Sequence, residues 1–505
     1  MLVIGKRIIN NNDNNNYNNY NNYNNYNIIS SDKQFNRSTQ FNRSTQPNSL
    51  IIMEHQLKIY NYLKSNKNKA ILLFHKMGSG KTISSLYCAI KLNKPTIIIG
   101  PKSSKKGFID DLNKLSNVCT FSINNFEFYS YQKIINILQK NLDMFSGKII
   151  IIDEIHHLRS QTQNMMFIIN SLPLAYKIIL LSGTPIINHP VDLCVLVNIV
   201  KNSEDLTTDK TLFDFYYVDK NVDFSDTNNF TTNLKNIDEL KKKLSNAISY
   251  YTPPIIKNEL KIDIFYPEVY LSRAQLIEYK NYIIRLIHPL SKKIVHLETD
   301  INSDDYNIDF TTLDVKKKNA FLVATRQLSN TIDNSTNSPK ILEIIHFIQT
   351  SKKPAVIYSN FLTNGIYPIS LKLTELNIRH KIIKGSTTEQ AMNKIINDYN
   401  QNKFEVLLIS SAASESITLL NTRQMHIMEP HFNEAKINQV IGRAIRYKSH
   451  DMLPDQDKQI SIYYWSSIFP NIIQYKTADQ YLIWLGKKKQ YLIDKLINLV
   501  KEVSI

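Results

Sequence analysis

From about residue 50 onward, short apolar runs alternate with segments whose apolar positions recur at helical spacing. EHQLKIYNYLK (54–64) predicts a helix. AILLFHK (70–76) predicts a strand that ends at MGSGKT, and a helix follows over 82–92. PTIIIG (95–100), GKIIIIDEIHH (147–157) and YKIILLSGTP (176–185) predict three more strands. Strand, loop and helix recurring in this way predict a parallel sheet covered by helices. A second such pattern starts near Ser338. Its strands are PAVIYSNF (354–361), RHKIIKGST (379–387), FEVLLISSAA (404–413) and QMHIMEP (424–430), with a helix over 433–445. Between the two, residues 201–330 carry polar stretches, a YYTPP turn (250–254) and a helical run over 273–288. Residues 476–502 are basic and helical in pattern.

The first 49 residues belong to neither pattern. Residues 11–28 are nearly all Asn and Tyr, and FNRSTQ occurs twice, at 35–40 and 41–46. Such a stretch cannot build a core, so a disordered tail is expected. The divisions expected are tail 1–49, first lobe 50–200, lobe completion and helical insertion 201–335, second lobe 336–470, and C-terminal helical segment 471–505.

Composition sharpens the picture a little. A chain of 505 residues, 43% hydrophobic, suits about three domains. Lys and Arg number 61 against 44 Asp and Glu, a net charge of +17 that can attract nucleic acid. Abundant Asn, Ile and Tyr with only 11 Gly also fit an AT-rich coding bias, so charge alone does not decide. Cys88, Cys119 and Cys194 show no metal-ligand spacing and no disulfide framework. No run of 18 apolar residues predicts a membrane span, and the N-terminus has no signal-peptide pattern.

The chemistry lies at strand ends. In GSGKT, Gly78 and Gly80 permit a tight turn, and with Ser79 they aim backbone N–H groups at phosphate oxygens. Lys81 suits the outer phosphates, and Thr82 offers a hydroxyl to Mg²⁺. Asp153 and Glu154 end a hydrophobic strand. There Asp153 suits Mg²⁺, and Glu154 suits orientation of an attacking water. A merely solvated acidic pair does not explain their place after a phosphate loop. Ser182 and Thr184, in SGTP, are candidates to relay nucleotide state to a polymer-binding face.

The order of these motifs resembles the superfamily 2 helicase-type ATPases. Within them it is similar to the Swi/Snf-like viral group, which includes poxvirus nucleoside triphosphatase I and the small subunit of the poxvirus early transcription factor. The Asn-rich composition resembles that of proteins from mimivirus-like giant viruses. The resemblance covers roughly 50–505, loosely over 200–330, and implies an α/β fold of two tandem RecA-like P-loop lobes. It implies that Gln56 reads adenine, that Lys102 and Ser103 in GPKSS contact a nucleic-acid backbone, and that FYSYQ (128–132) is a further contact motif. Asp153 to His156 then form the DExH box, and Ser182 to Pro185 the coupling motif. In the second lobe QVIGRAIRYKSH (439–450) resembles motif six, with Gln439 at the nucleotide and Arg443 and Arg446 one helical turn apart. Arg446 is the preferred arginine finger, with Arg443 beside it. One departure is Ser416 after Glu415, where the group often has Gly.

The resemblance implies an ATP- and Mg²⁺-using, nucleic-acid-dependent ATPase. The preferred expectation is a translocase on duplex DNA in viral transcription, with viral RNA polymerase or other transcription factors as partners. Virion and host cytoplasm (viral factory) are the expected locations, with no membrane role. The alternative is an ATP-dependent RNA helicase of the same superfamily. A second alternative is a nucleic-acid-binding virion or transcription-factor subunit without ATPase activity, against which stands a full set of ATPase motifs.

Overall fold

The computed structural model describes residues 52–76, 78–160, 162–219, 233–253, 260–287, 315–411, 417–431, 434–445, 449–470 and 476–505. The Asn/Tyr-rich tail, Glu415, Ser416 and Arg446 lie outside the described residues.

The first lobe holds strands β1 (Ala70–His75), β2 (Thr96–Ile99), β3 (Phe126–Tyr129), β4 (Ile149–Asp153) and β5 (Lys177–Ser182). A short antiparallel ribbon, β6 (Val218–Asp219) with β7 (Asn233–Leu234), precedes β8 (Ile248–Tyr251). The sheet order is β3-β2-β4-β5-β1-β8, with every pairing parallel. Helices on both faces explain why these strands are apolar without alternation. Leu72, Phe74, Ile150 and Ile152 enter the core on one face, while Ile71, Leu73, Ile149 and Ile151 enter the core on the other. The covering helices are α1 (Glu54–Lys64), α2 (Lys81–Leu92), α3 (Ser104–Ser116), α4 (Tyr131–Leu138), α5 (Gln163–Ser171), α6 (Val191–Lys201), α7 (Lys210–Tyr217) and α8 (Ile237–Leu244).

YYTPP was expected to be a turn, but Tyr250 and Tyr251 belong to β8, in parallel register with Phe74 and His75. Local composition favours the turn, and the long-range pairing with β1 overrides it.

The second lobe holds β9 (Lys261–Phe265), β10 (Glu268–Tyr270), β11 (Ala355–Ser359), β12 (His380–Ile383), β13 (Val406–Ser410), β14 (Gln424–Ile427), β15 (Gln459–Tyr464) and β16 (Ser466–Ile468). Its main sheet runs β12-β13-β11-β14-β15-β9, again all parallel, with β10 and β16 paired beside it. Its helices are α9 (Arg273–Ile287), α10 (Val315–Asn330), α11 (Pro339–Thr350), α12 (Tyr367–Glu375), α13 (Glu389–Asn400) and α14 (Glu434–Ala444). β9 comes from the 201–335 stretch, yet it forms an edge of the second sheet against β15.

The last helix, α15 (Ala478–Val503), touches both lobes. Its Ala478 and Leu482 pack with Leu276 and Tyr279 of α9 and Phe321 of α10. Its Leu492, Leu496 and Val500 join the first-lobe core with Leu244 and Ile248.

Candidate nucleotide and nucleic-acid site

β1 ends at His75 and α2 begins at Lys81, so the phosphate loop sits where a parallel strand feeds a helix N-terminus. Gly78 and Gly80 have φ of 79° and 76°. A Cβ on Gly80 would lie 2.9 Å from Gln56 Nε2 as well as being strained. Lys81 Nζ donates to His75 O at 2.9 Å, and Thr82 stands beside it in the first turn of α2. Gln56 is buried, and its Oε1 accepts the Met53 N–H at 2.8 Å, so its adenine-reading candidate side chain also caps α1.

Two aromatic neighbours of this loop carry no motif signal in the sequence. His55 stacks on Tyr251 with ring centroids 3.6 Å apart, and its Nε2 lies 3.1 Å from Ser79 O. His75 lies behind, with Nε2 2.9 Å from Ser249 Oγ. Burial pushes the His75 pKa down to about 3, and nearby His55 and Lys81 push the same way, so its ring is neutral.

Asp153 closes β4, and Glu154 begins the turn after it. Burial, together with the charge of Glu154, raises the Asp153 carboxyl to about 6, while a Ser104 hydrogen bond and Lys81 pull it back. Burial also pushes Glu154 up, but His156, Lys81 and Arg443 outweigh it and hold that carboxyl low. His156 Nδ1 is 3.2 Å from Glu154 Oε2, whereas His157 is exposed. Glu154 has φ of 52°. Every other described non-glycine residue with positive φ is Asn or Asp, types that tolerate this region, so backbone strain is concentrated at Glu154. Tyr131 Oη holds the turn by donating to Asp153 O at 2.7 Å and Glu154 O at 3.2 Å. Gly100 leaves room for Asp153, whose Cβ would be 3.2 Å from a Cβ there.

A half-buried carboxylate crowded by Glu154 and near Lys81 at the start of α2 suits a divalent cation. Asp153 and Thr82 are the residues that would hold Mg²⁺. Among the described residues no group of three His, Cys, Asp or Glu forms a metal cage.

From the second lobe, α14 brings Arg443 close enough to lower the Glu154 pKa. Gln439, one turn earlier, is half-buried on the same helix. The helix ends at Ala444. Arg443 is thus the described arginine that acts on the carboxylates, and Arg446 lies outside the described residues.

After β2, Lys102 and Ser103 are exposed at the start of α3. Their neighbour Ser104 turns inward to Asp153. Ser182 is buried, and its Oγ accepts the Thr184 N–H at 3.1 Å, so its hydroxyl shapes the turn, while Thr184 is half-buried. Ser104, Tyr131 and His55 were not singled out from sequence. Ser104 and Tyr131 lie inside motifs that had been assigned to nucleic-acid contact, and only the fold aims them at the carboxylates.

A family model described as Helicase conserved C-terminal domain matches residues 339–448. The chain is 42% identical over 459 residues to a putative ATP-dependent RNA helicase of Acanthamoeba polyphaga mimivirus, covering 90% of this chain and 98% of that protein. It is 23% identical over 556 residues to a Termination factor NPH-I homolog of African swine fever virus, covering 88% of this chain and 77% of that protein. The solved Sulfolobus solfataricus SWI2/SNF2 ATPase core in complex with dsDNA aligns at 16% identity and a TM-score of 0.33, over 90% of this chain and 98% of that one.

Proposed function

The chain belongs to the superfamily 2 helicase-type ATPases of the Swi/Snf-like viral group, related to nucleoside triphosphatase I, and from that premise we propose how it works and on what. As a member it is an ATP-hydrolysing enzyme that uses ATP and Mg²⁺ and acts on nucleic acid. Bound Mg²⁺ supplies charge neutralisation at the phosphates. The phosphate loop and Lys81 hold the triphosphate, Gln56 and Gln439 flank the nucleotide, and Glu154 orients the attacking water. Arg443 and Arg446 offset charge on the γ-phosphate when the lobes close. Lys102 and Ser103 grip a polymer backbone, and Ser182 and Thr184 link the two sites. The observation that carries this reading is the approach of Arg443, from one lobe, to Glu154, in the other.

RNA is the polymer we favour, because the mimivirus relative, similar over nearly its full length, bears an RNA helicase name. Translocation on duplex DNA in viral transcription, beside a viral RNA polymerase, is the second reading. The termination-factor name of the swine fever virus relative supports it. The viral relatives favour a viral setting, and packaging in the virion or action in a viral factory follows from either reading.

The test is ATP hydrolysis with no polymer, duplex DNA, single-stranded DNA and RNA in parallel. Stimulation by RNA supports the first reading, and stimulation by duplex DNA alone supports the second. Lys81→Ala and Glu154→Gln should each lower turnover by roughly 10²-fold or more. Turnover unchanged in both variants would overturn the assignment.

A further inference from the structure

The turn that follows β5 is clamped by one carboxylate. Asp192, in the first turn of α6, accepts the N–H groups of Ile187, Asn188 and His189 on its Oδ2 at 3.0, 2.8 and 3.4 Å. The helix dipole favours a carboxylate at that end of α6. The helix itself is fixed, with Leu193, Cys194, Leu196 and Val197 in the first-lobe core. His189 adds a second tie. Its Nδ1 accepts the Val191 N–H at 3.2 Å, which leaves Nε2 to donate to Asp214 Oδ1 of α7 at 2.9 Å. The same turn meets the other lobe. Gly183, Thr184, Ile186 and Ile187 line a cavity together with Asn438 of α14 and Gln490 of α15.

The second oxygen of Asp192 has a different neighbour. Oδ1 lies 3.8 Å from Arg159 Nε, and Arg159 Nη1 donates to His156 O at 3.2 Å. Arg159 belongs to the 3-10 stretch Ile155–Ser160, which follows the acidic strand end. His156 Nδ1 is itself 3.2 Å from Glu154 Oε2. One guanidinium thus joins the backbone of the acidic turn to the carboxylate that shapes the turn after β5. An arginine suits such a bridge, because its donors diverge in one plane and can serve two acceptors. Clamping the turn uses only Oδ2 of Asp192, so it does not account for the arginine.

We propose that Arg159 and Asp192 are positioning residues that couple the water-orienting carboxylate to the inter-lobe turn. Arg159 sets the His156 carbonyl, and with it the Glu154–His156 contact, against a turn that α6 keeps rigid. When polymer binding shifts α14 and α15 against Gly183 and Thr184, the displacement reaches Glu154 through this bridge. Without the bridge each turn keeps its own hydrogen bonds, from Tyr131 on one and to Asp192 on the other. Neither then follows the position of its neighbour. ATP is bound and turned over slowly as before, and polymer no longer accelerates it.

This inference rests on the ATPase reading, and the test separates the two. The full chain is assayed for ATP hydrolysis without polymer, with RNA and with duplex DNA, and for binding of a fluorescent ATP analogue with Mg²⁺. Arg159→Gln removes the bridging charge and leaves the Asp192 clamp on the turn. It should cut polymer-stimulated kcat by about tenfold, while the analogue Kd and polymer-free turnover stay within about twofold of wild type. Asp192→Asn keeps one oxygen for the N–H groups of the turn and should show the same loss. The double variant should be no worse than either single one. If Asp192→Asn does not fold, Arg159→Gln alone decides. Stimulation within about twofold of wild type in Arg159→Gln, an analogue Kd that rises with the loss, or losses that multiply in the double variant would overturn the inference with the ATPase reading intact. A wild-type chain that hydrolyses ATP equally with and without polymer would overturn the inference alone. One that hydrolyses none would overturn both.

Discussion

Glu154 carries its side chain on a backbone at φ of 52°, a region that costs a residue with a Cβ about 1 kcal/mol or more. The Tyr131 bonds to the two carbonyls of this turn supply the restraint that keeps it there. Glu154→Gly and Glu154→Ala both remove the carboxylate, so the backbone term separates them. The Gly variant should be the more stable by about 1 kcal/mol, read as a thermal midpoint higher by roughly 2 °C. Equal midpoints would show that the turn is unstrained. Asp153 yields a pH-dependent test. Its folded pKa, about 6, lies above the ordinary 3.8 because of burial and Glu154. Below that ordinary value it is protonated in folded and unfolded chains alike and has no effect. As pH rises through about 6 the folded protein must ionise a buried carboxyl and loses stability. Nucleotide-free Asp153→Asn should therefore melt above wild type at about pH 8 and level with it at about pH 4. A gap of the same size at both pH values would contradict the assigned cause.

Among the elements, α15 and α11 are joined by a buried ion pair. Lys340 donates to Asp479 and to Asn330 Oδ1, while Asp479 also accepts the Ser467 N–H at 2.9 Å. Removing one partner strands a charge in the interior, so Lys340→Met should cost about 3–5 kcal/mol, seen as an earlier urea transition. Lys340→Met with Asp479→Leu should recover much of that loss. A single variant that unfolds like wild type would mean that water reaches the pair. The same element logic explains β8 and β9. β8 is placed by its register with β1, and β9 by its register with β15, far along the chain. Neither strand is long or apolar enough to announce itself.

At the scale of the whole molecule, two sheets, a cleft and a net charge of +17 suit a motor that holds a polyanion while its lobes open and close. Polymer contacts of this kind are mainly ionic, so stimulation of ATP hydrolysis should fall steeply between about 50 and 200 mM salt, while polymer-free hydrolysis should hardly change. Lys102→Ala should weaken stimulation by all sequences of the effective polymer alike. Stimulation indifferent to salt would remove the backbone-grip reading.

The apolar runs AILLFH, TIII, IIIID and KIILLS were legible as buried parallel strands because each is covered on both faces and needs no alternation. The phosphate loop and the acidic strand end were legible for a related reason: their chemistry depends on a few residue types at close spacing, and that is local. The tertiary structure alone decided what is non-local. It turned Ser104 and Tyr131 toward the carboxylates, stacked His55 on Tyr251, and laid α15 across both lobes. Periodicity predicts that α15 is a helix with an apolar stripe. It does not say that one end of the stripe belongs to one lobe and the other end to its neighbour, because which surfaces bury a stripe depends on residues far away in the chain.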